Sequence, residues 1–70
     1  MIFQQVKRKE LVQGEVYLDV PNAKATKLLY TGENSFIHIS GTPHYGTGKV
    51  KFRSLKKIKF YQIKVEFTNN

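Results

Sequence analysis

Residues 25–40, ATKLLYTGENSFIHIS, decide the fold class of this chain. Two runs rich in β-branched and aromatic side chains, which favour strands, flank the turn-forming residues 31–34. The pattern predicts a β-hairpin with strands over 25–30 and 35–40 and a four-residue turn between them.

The segment after this hairpin continues the β pattern. A Gly-rich connection over residues 41–48 leads into residues 49–53, where apolar and basic side chains alternate strictly. Val50 and Phe52 fall on one face, and the cations of this segment fall on the other: Lys49, Lys51 and Arg53. A period of two indicates a half-buried strand with a cationic outer side.

Three further segments complete the predicted sheet. Residues 15–20 form a strand that Pro21 ends, because proline donates no ladder hydrogen bond. Residues 54–57 favour one short turn, of 3₁₀ type, and residues 58–67 form the last and longest strand. The turn residues that separate all these runs are frequent, as in an antiparallel sheet of short strands.

The last strand carries apolar residues on both of its faces. Ile58 and Phe60 share one face, whereas the other holds a second set: Tyr61, Ile63, Val65 and Phe67. A bulge near residue 60 would reconcile the two sets. Alternatively, both faces are partly covered, either by a second subunit or by an extra N-terminal edge strand that contains Ile2, Phe3 and Val6.

A length of 70 residues permits one small domain with a thin core. We predict a single β domain over residues 1–70, with residues 1–10 as an N-terminal segment or edge strand and residues 11–67 as the barrel core. No internal repeat or linker divides the chain.

Three segments carry a resemblance to a known fold: LVQGEVY at 11–17, LLYTG at 28–32 and SLKKI at 54–58. In this order they resemble the SH3-like small β-barrel, whose members include the Tudor, KOW and Sm-like modules. The resemblance implies an all-β, five-stranded barrel or a strongly bent antiparallel sheet. A five-stranded OB-like barrel is the competing fold, and the short connections weigh against it. The sequence also resembles the short basic open reading frames of bacteriophages.

Several classes of protein are disfavoured by composition. The chain contains no cysteine, which excludes disulfides and thiolate metal sites. No run approaches 18 apolar residues, and the charges at residues 7–9 follow a very short apolar start, an order that is wrong for a signal peptide. We expect a complete small gene product that acts in the cytoplasm, the host's if phage-encoded, with no membrane partner.

The positive charge is concentrated in the second half of the chain. The formal net charge is +7, and no acidic residue occurs between Glu33 and Glu66. Such asymmetry favours a polyanionic partner, either nucleic acid or an acidic protein surface. The alternative is that the lysines keep a small sheet soluble and protect its edges.

No catalytic or cofactor motif withstands inspection. The stretch 41–49 resembles a phosphate-binding loop, but Pro43 replaces the first glycine of the Walker pattern and Val50 replaces its Ser or Thr. We interpret it as a flexible hairpin loop that could offer backbone N–H groups to one phosphate. His38 and His44 have no partner at metal-ligand spacing, and His38 is expected to be a partly buried, hydrogen-bonded imidazole. The prediction is a protein that is not an enzyme, with no cofactor and no metal.

Two functions remain, in different classes. The first is largely sequence-independent nucleic-acid binding, DNA or RNA, by a basic strand face with aromatic platforms. Its predicted binding residues are Lys49, Lys51, Arg53, Lys56, Lys57, Lys59, Tyr45 and Tyr61. The second is a protein–protein interaction module, such as a phage-encoded modulator or inhibitor of a host enzyme, that docks through a sheet edge or the last strand. A homodimer is its simplest form.

Overall fold

Six strands form one antiparallel sheet in the computed structural model, which describes residues 2–51, residue 55 and residues 58–64. In chain order the strands are β1 (Ile2–Val6), β2 (Val16–Leu18), β3 (Lys27–Gly32), β4 (Ser35–Ser40), β5 (Lys49–Lys51) and β6 (Phe60–Lys64). A 3₁₀ turn, Arg8–Glu10, follows β1. Parts of the predicted fourth and last strands and of the turn between them lie outside the described residues: 52–54, 56–57 and 65–67.

The order of strands in the sheet is β1-β6-β2-β3-β4-β5. Strands β2 to β5 follow one another as a meander, and the chain then returns so that β6 lies between β1 and β2. The all-β class and the N-terminal edge strand are therefore confirmed. The strand predicted over 15–20 is shorter than expected, because only Val16–Leu18 pair with β3.

The central hairpin differs from its prediction at the turn. Strand β4 has the predicted bounds, but β3 begins two residues late and continues to Gly32. Glu33 and Asn34 alone form the turn, with φ of 54° and 60°, so the prediction of a four-residue turn is wrong. Two consecutive left-handed residues make a tight connection whose twist matches that of the flanking strands. The extra residue, Thr31, is accommodated by a register shift.

Alternate residues of the strands build the core. Its buried members are Tyr17, Leu28, Phe36, Val50, Leu55 and Phe60. Phe36 on β4 stacks on Phe60 of β6 with ring centroids 5.1 Å apart, although two strands lie between β4 and β6 in the sheet. Three strand spacings of a flat sheet would separate them by about 14 Å. The sheet is therefore strongly bent around the core.

Strand β6 is held mainly by β1. Five residue pairs join these two strands in unbroken register, whereas Leu18↔Tyr61 is the pair that joins β6 to β2. No bulge interrupts β6 in this register. The predicted start at Ile58 is wrong, because Ile58 belongs to the preceding turn, where its N–H donates to the carbonyl of Leu55 at 3.1 Å. Ile58 still packs against the core from this turn, which explains why it and Phe60 both read as core-facing residues in the sequence.

Candidate functional site

The face of the sheet opposite the core, here called the outer face, carries aliphatic side chains. Strand register aligns Val16, Leu29 and Ile37 side by side across β2, β3 and β4, and Lys49 of the edge strand β5 ends the row. Val16 is 37% exposed and Ile37 is 42% exposed. Side chains in direct register lie on the same side of a sheet. The outer face therefore offers an aliphatic row that ends at a cation.

A second row crosses the outer face one pleat away. It runs through all strands except β5: Gln5, Tyr61, Leu18, Lys27 and Ser40. Ile63, two residues along β6 from Tyr61 and opposite Phe3 of β1, is 42% exposed. This second row is mixed in character, because Leu18 is only 3% exposed and most of its other members are polar.

The cations of β5 lie where the alternation places them. Val50 is 2% exposed and belongs to the core, whereas Lys49 and Lys51 are exposed on the outer face. Their Cα atoms are about 6.8 Å apart, twice the antiparallel rise per residue. Lys59 is exposed immediately before β6. The other predicted cations, Arg53, Lys56 and Lys57, lie outside the described residues.

Sequence reasoning missed one cation of this face. Lys27 is half-buried at the start of β3, in register with Leu18 and Ser40. It lines two clefts of the outer face, one of about 280 Å³ and one of about 180 Å³. A signal for this was present in the sequence: Lys27 and Leu29 are two residues apart, so they lie on the same face of a strand that begins at Lys27.

The two predicted aromatic platforms differ in their surroundings. Tyr45 is half-buried against the core, and its hydroxyl donates to Asp19 Oδ2 at 2.9 Å. Burial, and then the hydrogen bond to the Asp19 carboxylate and its charge, raise the pKa of Tyr45 to about 12. Tyr61 is half-buried on the outer face beside Leu18. Neither ring lines the two clefts at Lys27, although Tyr61 is in register with Leu18, which lines both.

The Gly-rich connection over 41–48 is anchored to the sheet. Thr26 Oγ1 donates to the carbonyl of Thr42 at 2.7 Å, and the N–H of His38 donates to the carbonyl of Gly48 at 3.0 Å. The half-buried ring of His38 contacts the carbonyl of Gly41 through Nε2 at 3.0 Å, which confirms the predicted hydrogen-bonded imidazole.

The acidic residues near this face already have partners. Asp19 accepts from the N–H of Thr26 at 2.8 Å as well as from Tyr45. Glu15 accepts from Gln62 Nε2 at 3.3 Å. No group of three His, Asp or Glu side chains able to hold a metal ion occurs in the described part of the chain.

Within residues 2–51, 55 and 58–64, no helix has the length and apolar character needed to cross a membrane.

Comparison with known proteins gives no relative: no protein-family model, curated protein or solved structure matches this chain.

Proposed function

We propose that the protein is a nucleic-acid-binding module that contacts the phosphate backbone with the lysines of its outer face. The observation that carries this proposal is the alternation in β5, where Val50 is buried and Lys49 and Lys51 face solvent. Strands β3, β4 and β5 contain no acidic residue, so their cations face a partner without a competing carboxylate on the same strands. Phosphate is the polyanion that such a surface neutralises without reading sequence.

The chain path supports a finer assignment of the fold. A meander of four strands, a turn at Leu55 and a return of β6 beside β2 agree with the SH3-like small barrel that the sequence resembles. Strand β1 is then an addition beside β6. A bacteriophage source, with action in the host cytoplasm, stays a prediction from the sequence resemblance.

The test is fluorescence anisotropy with labelled 20-mer DNA and RNA, single-stranded and duplex, over a salt series. Neutralising about five phosphates gives a log–log salt slope of about −4 to −5 on duplex and about −3.5 on single strands. The double variant Lys49→Gln/Lys51→Gln should bind more weakly, with a slope shallower by about 1.4 on single strands and about 1.8 on duplex.

A matched control removes the same charge elsewhere. Lys9 and Lys24 are exposed and lie outside the strands of the outer face. Lys9→Gln/Lys24→Gln should retain nearly all of the binding. If no probe binds at low salt, or if the control loses as much affinity as the β5 variant, the proposal is wrong.

A second candidate, a protein–protein interaction module, is favoured by the exposed aliphatic residues of the outer face. Val16, Ile37 and Ile63 are each at least 37% exposed. A partner with apolar side chains and carboxylates would match this face and its lysines. Light scattering tests the homodimer form: Ile37→Ser should shift a dimer to monomer, and a wild-type protein that is monomeric at all concentrations rules the dimer out.

A further inference from the structure

The outer face holds a cleft, here called the base cleft, lined by Phe3, Leu18, Asn22, Ala23, Lys27 and Ile63. Its volume is about 180 Å³, enough for one planar ring system. The walls are mainly apolar, since Phe3 and Ile63 are in register on β1 and β6 and Leu18 lies on β2 beside them. Asn22 is fixed at the rim, because its Oδ1 accepts from the N–H of Lys24 at 2.8 Å.

Lys27 is a cation placed at this apolar site. It is half-buried, and no carboxylate of the described residues forms an ion pair with it. Partial burial removes hydration from the lysine ammonium, and no counter-ion replaces it. An anionic ligand that binds beside the ammonium would therefore stabilise its charged form. The arrangement therefore indicates a ligand with an apolar body and an adjacent anion.

The neighbouring cleft fixes the orientation of such a ligand. It shares Leu18, Lys27 and Ile63 with the base cleft but also contains Glu15. A phosphate would be repelled at the Glu15 end, whereas none of the described residues that line the base cleft carries a carboxylate. The anion is therefore expected next to Lys27, with the apolar body lying against Phe3 and Ile63.

A single-stranded nucleic acid matches both parts of this site. Its bases can leave the stack and lie on apolar walls, while its phosphates repeat along the strand and reach further cations such as Lys49 and Lys51. Duplex keeps its bases stacked and paired, so it offers the same phosphates without a free base. An acidic peptide would supply charge but no planar ring at each repeat.

We propose that the base cleft holds one unstacked nucleobase of a single-stranded nucleic acid, with Lys27 on the adjacent phosphate. This inference rests on the proposed function and adds strand type and contact mode to it.

The experiment compares three probes of equal length by fluorescence anisotropy: a mixed-sequence single strand, the same strand with abasic sites throughout, which keeps the charge, and the duplex. The intact single strand should bind at least about fivefold more tightly than the abasic strand, the lower end for one stacked base. Equal binding of the intact and abasic strands would overturn the inference and leave the proposed function standing. Absence of binding to all three probes would remove both.

Two variants with matched controls locate the contact. Ile63→Ser should weaken the intact strand and leave the abasic strand unchanged, whereas Lys27→Gln should weaken both. Val12→Ser and Lys9→Gln change an exposed aliphatic side chain and an exposed cation that do not line the base cleft, and they should have no effect. Thermal melts establish that each variant is folded.

Two outcomes of these measurements would contradict the assignment. One is that Ile63→Ser, folded, binds the intact strand as the wild type does. The other is that polyglutamate competes for the Ile63-dependent site as well as the single strand does, which would assign the cleft to an acidic protein partner.

Discussion

At the scale of single residues, Tyr45 ties the Gly-rich connection to the segment after β2. Its hydroxyl donates to Asp19, and its pKa is raised from 10.0 to about 12. The folded chain thus favours the neutral phenol, so the stability that Tyr45 contributes is complete below pH 10 and is lost as pH rises towards 12.

Tyr45→Phe should reveal this linkage. The variant should melt below the wild type at pH 8, and the difference should shrink between about pH 10 and 12, because the unfolded tyrosine ionises first. Lysine titration affects both proteins alike and cancels in the comparison. A difference in melting temperature that stays constant from about pH 10 to 12 would contradict the link between Tyr45 ionisation and stability.

Gly41 is required by a close approach of backbone. Its φ is +89°, and a Cβ built there would lie 2.8 Å from Thr26 Cα and 2.9 Å from the carbonyl oxygen of Ala25. We expect Gly41→Ala to cost more than about 2 kcal/mol, from left-handed strain together with overpacking.

Gly14 supplies the matched control for this substitution. It has nearly the same φ, +90°, and a Cβ at this position would meet no atom within 4 Å beyond its chain neighbours. Gly14→Ala should therefore incur only the backbone strain, and urea unfolding should separate the two variants. Equal losses of stability would show that the contact with Thr26 is unimportant.

At the scale of elements, β1 is the strand on which β6 depends. Five registered pairs join them, and β6 carries Phe60 into the core. Arg8, just after β1, donates to the carbonyl of Leu55 and lies over the Phe60 ring, with Cζ 5.5 Å from its centroid. The N-terminal segment therefore fixes both the last described strand and the turn that precedes it.

Deleting residues 2–6 should unfold the protein or lower its melting temperature by well over about 10 °C, because about 3–5 kcal/mol is typical for loss of one buried aromatic alone. The control Gln4→Ala/Gln5→Ala keeps the β1 backbone and should melt close to the wild type. Circular dichroism decides between these results, and an unchanged melt of the truncated chain would contradict the role given to β1.

The sequence predicted these elements where a local signal was strong. Residues 49–51 alternate basic and apolar side chains, residues 35–40 are rich in β-branched and aromatic side chains after a turn signal, and the structure has both strands. The turn was misjudged because Gly32 reads equally well as turn or strand end, and only pairing with Ser35 decides between them. The start of β3 was misjudged because Ala25 and Thr26 are both buried, which hides the period of two.

The candidate site was predictable only in part, because some of its residues lie together only after distant strands have paired. The exposed positions of Lys49 and Lys51 follow from their own strand. The clefts at Lys27 depend on four strands that come together from distant parts of the chain, and no local pattern encodes that neighbourhood.

At the scale of the whole molecule, bending of the sheet makes its two faces differ in exposure to solvent. The inner face is closed by stacked aromatic rings such as Phe36 and Phe60, whereas the outer face keeps aliphatic rows accessible. A formal net charge of +7 opposes association of two copies through that face and favours an oppositely charged partner.

The pairing of β1 with β6 also determines when β1 can find its partner strand during translation. The ribosome makes β1 more than 50 residues before β6, at roughly 5–20 residues per second, so β1 waits several seconds for its neighbour. During that delay its apolar side chains are an aggregation risk. Three cations directly follow it, Lys7, Arg8 and Lys9, and charges that flank an apolar strand in this way disfavour its pairing with other chains.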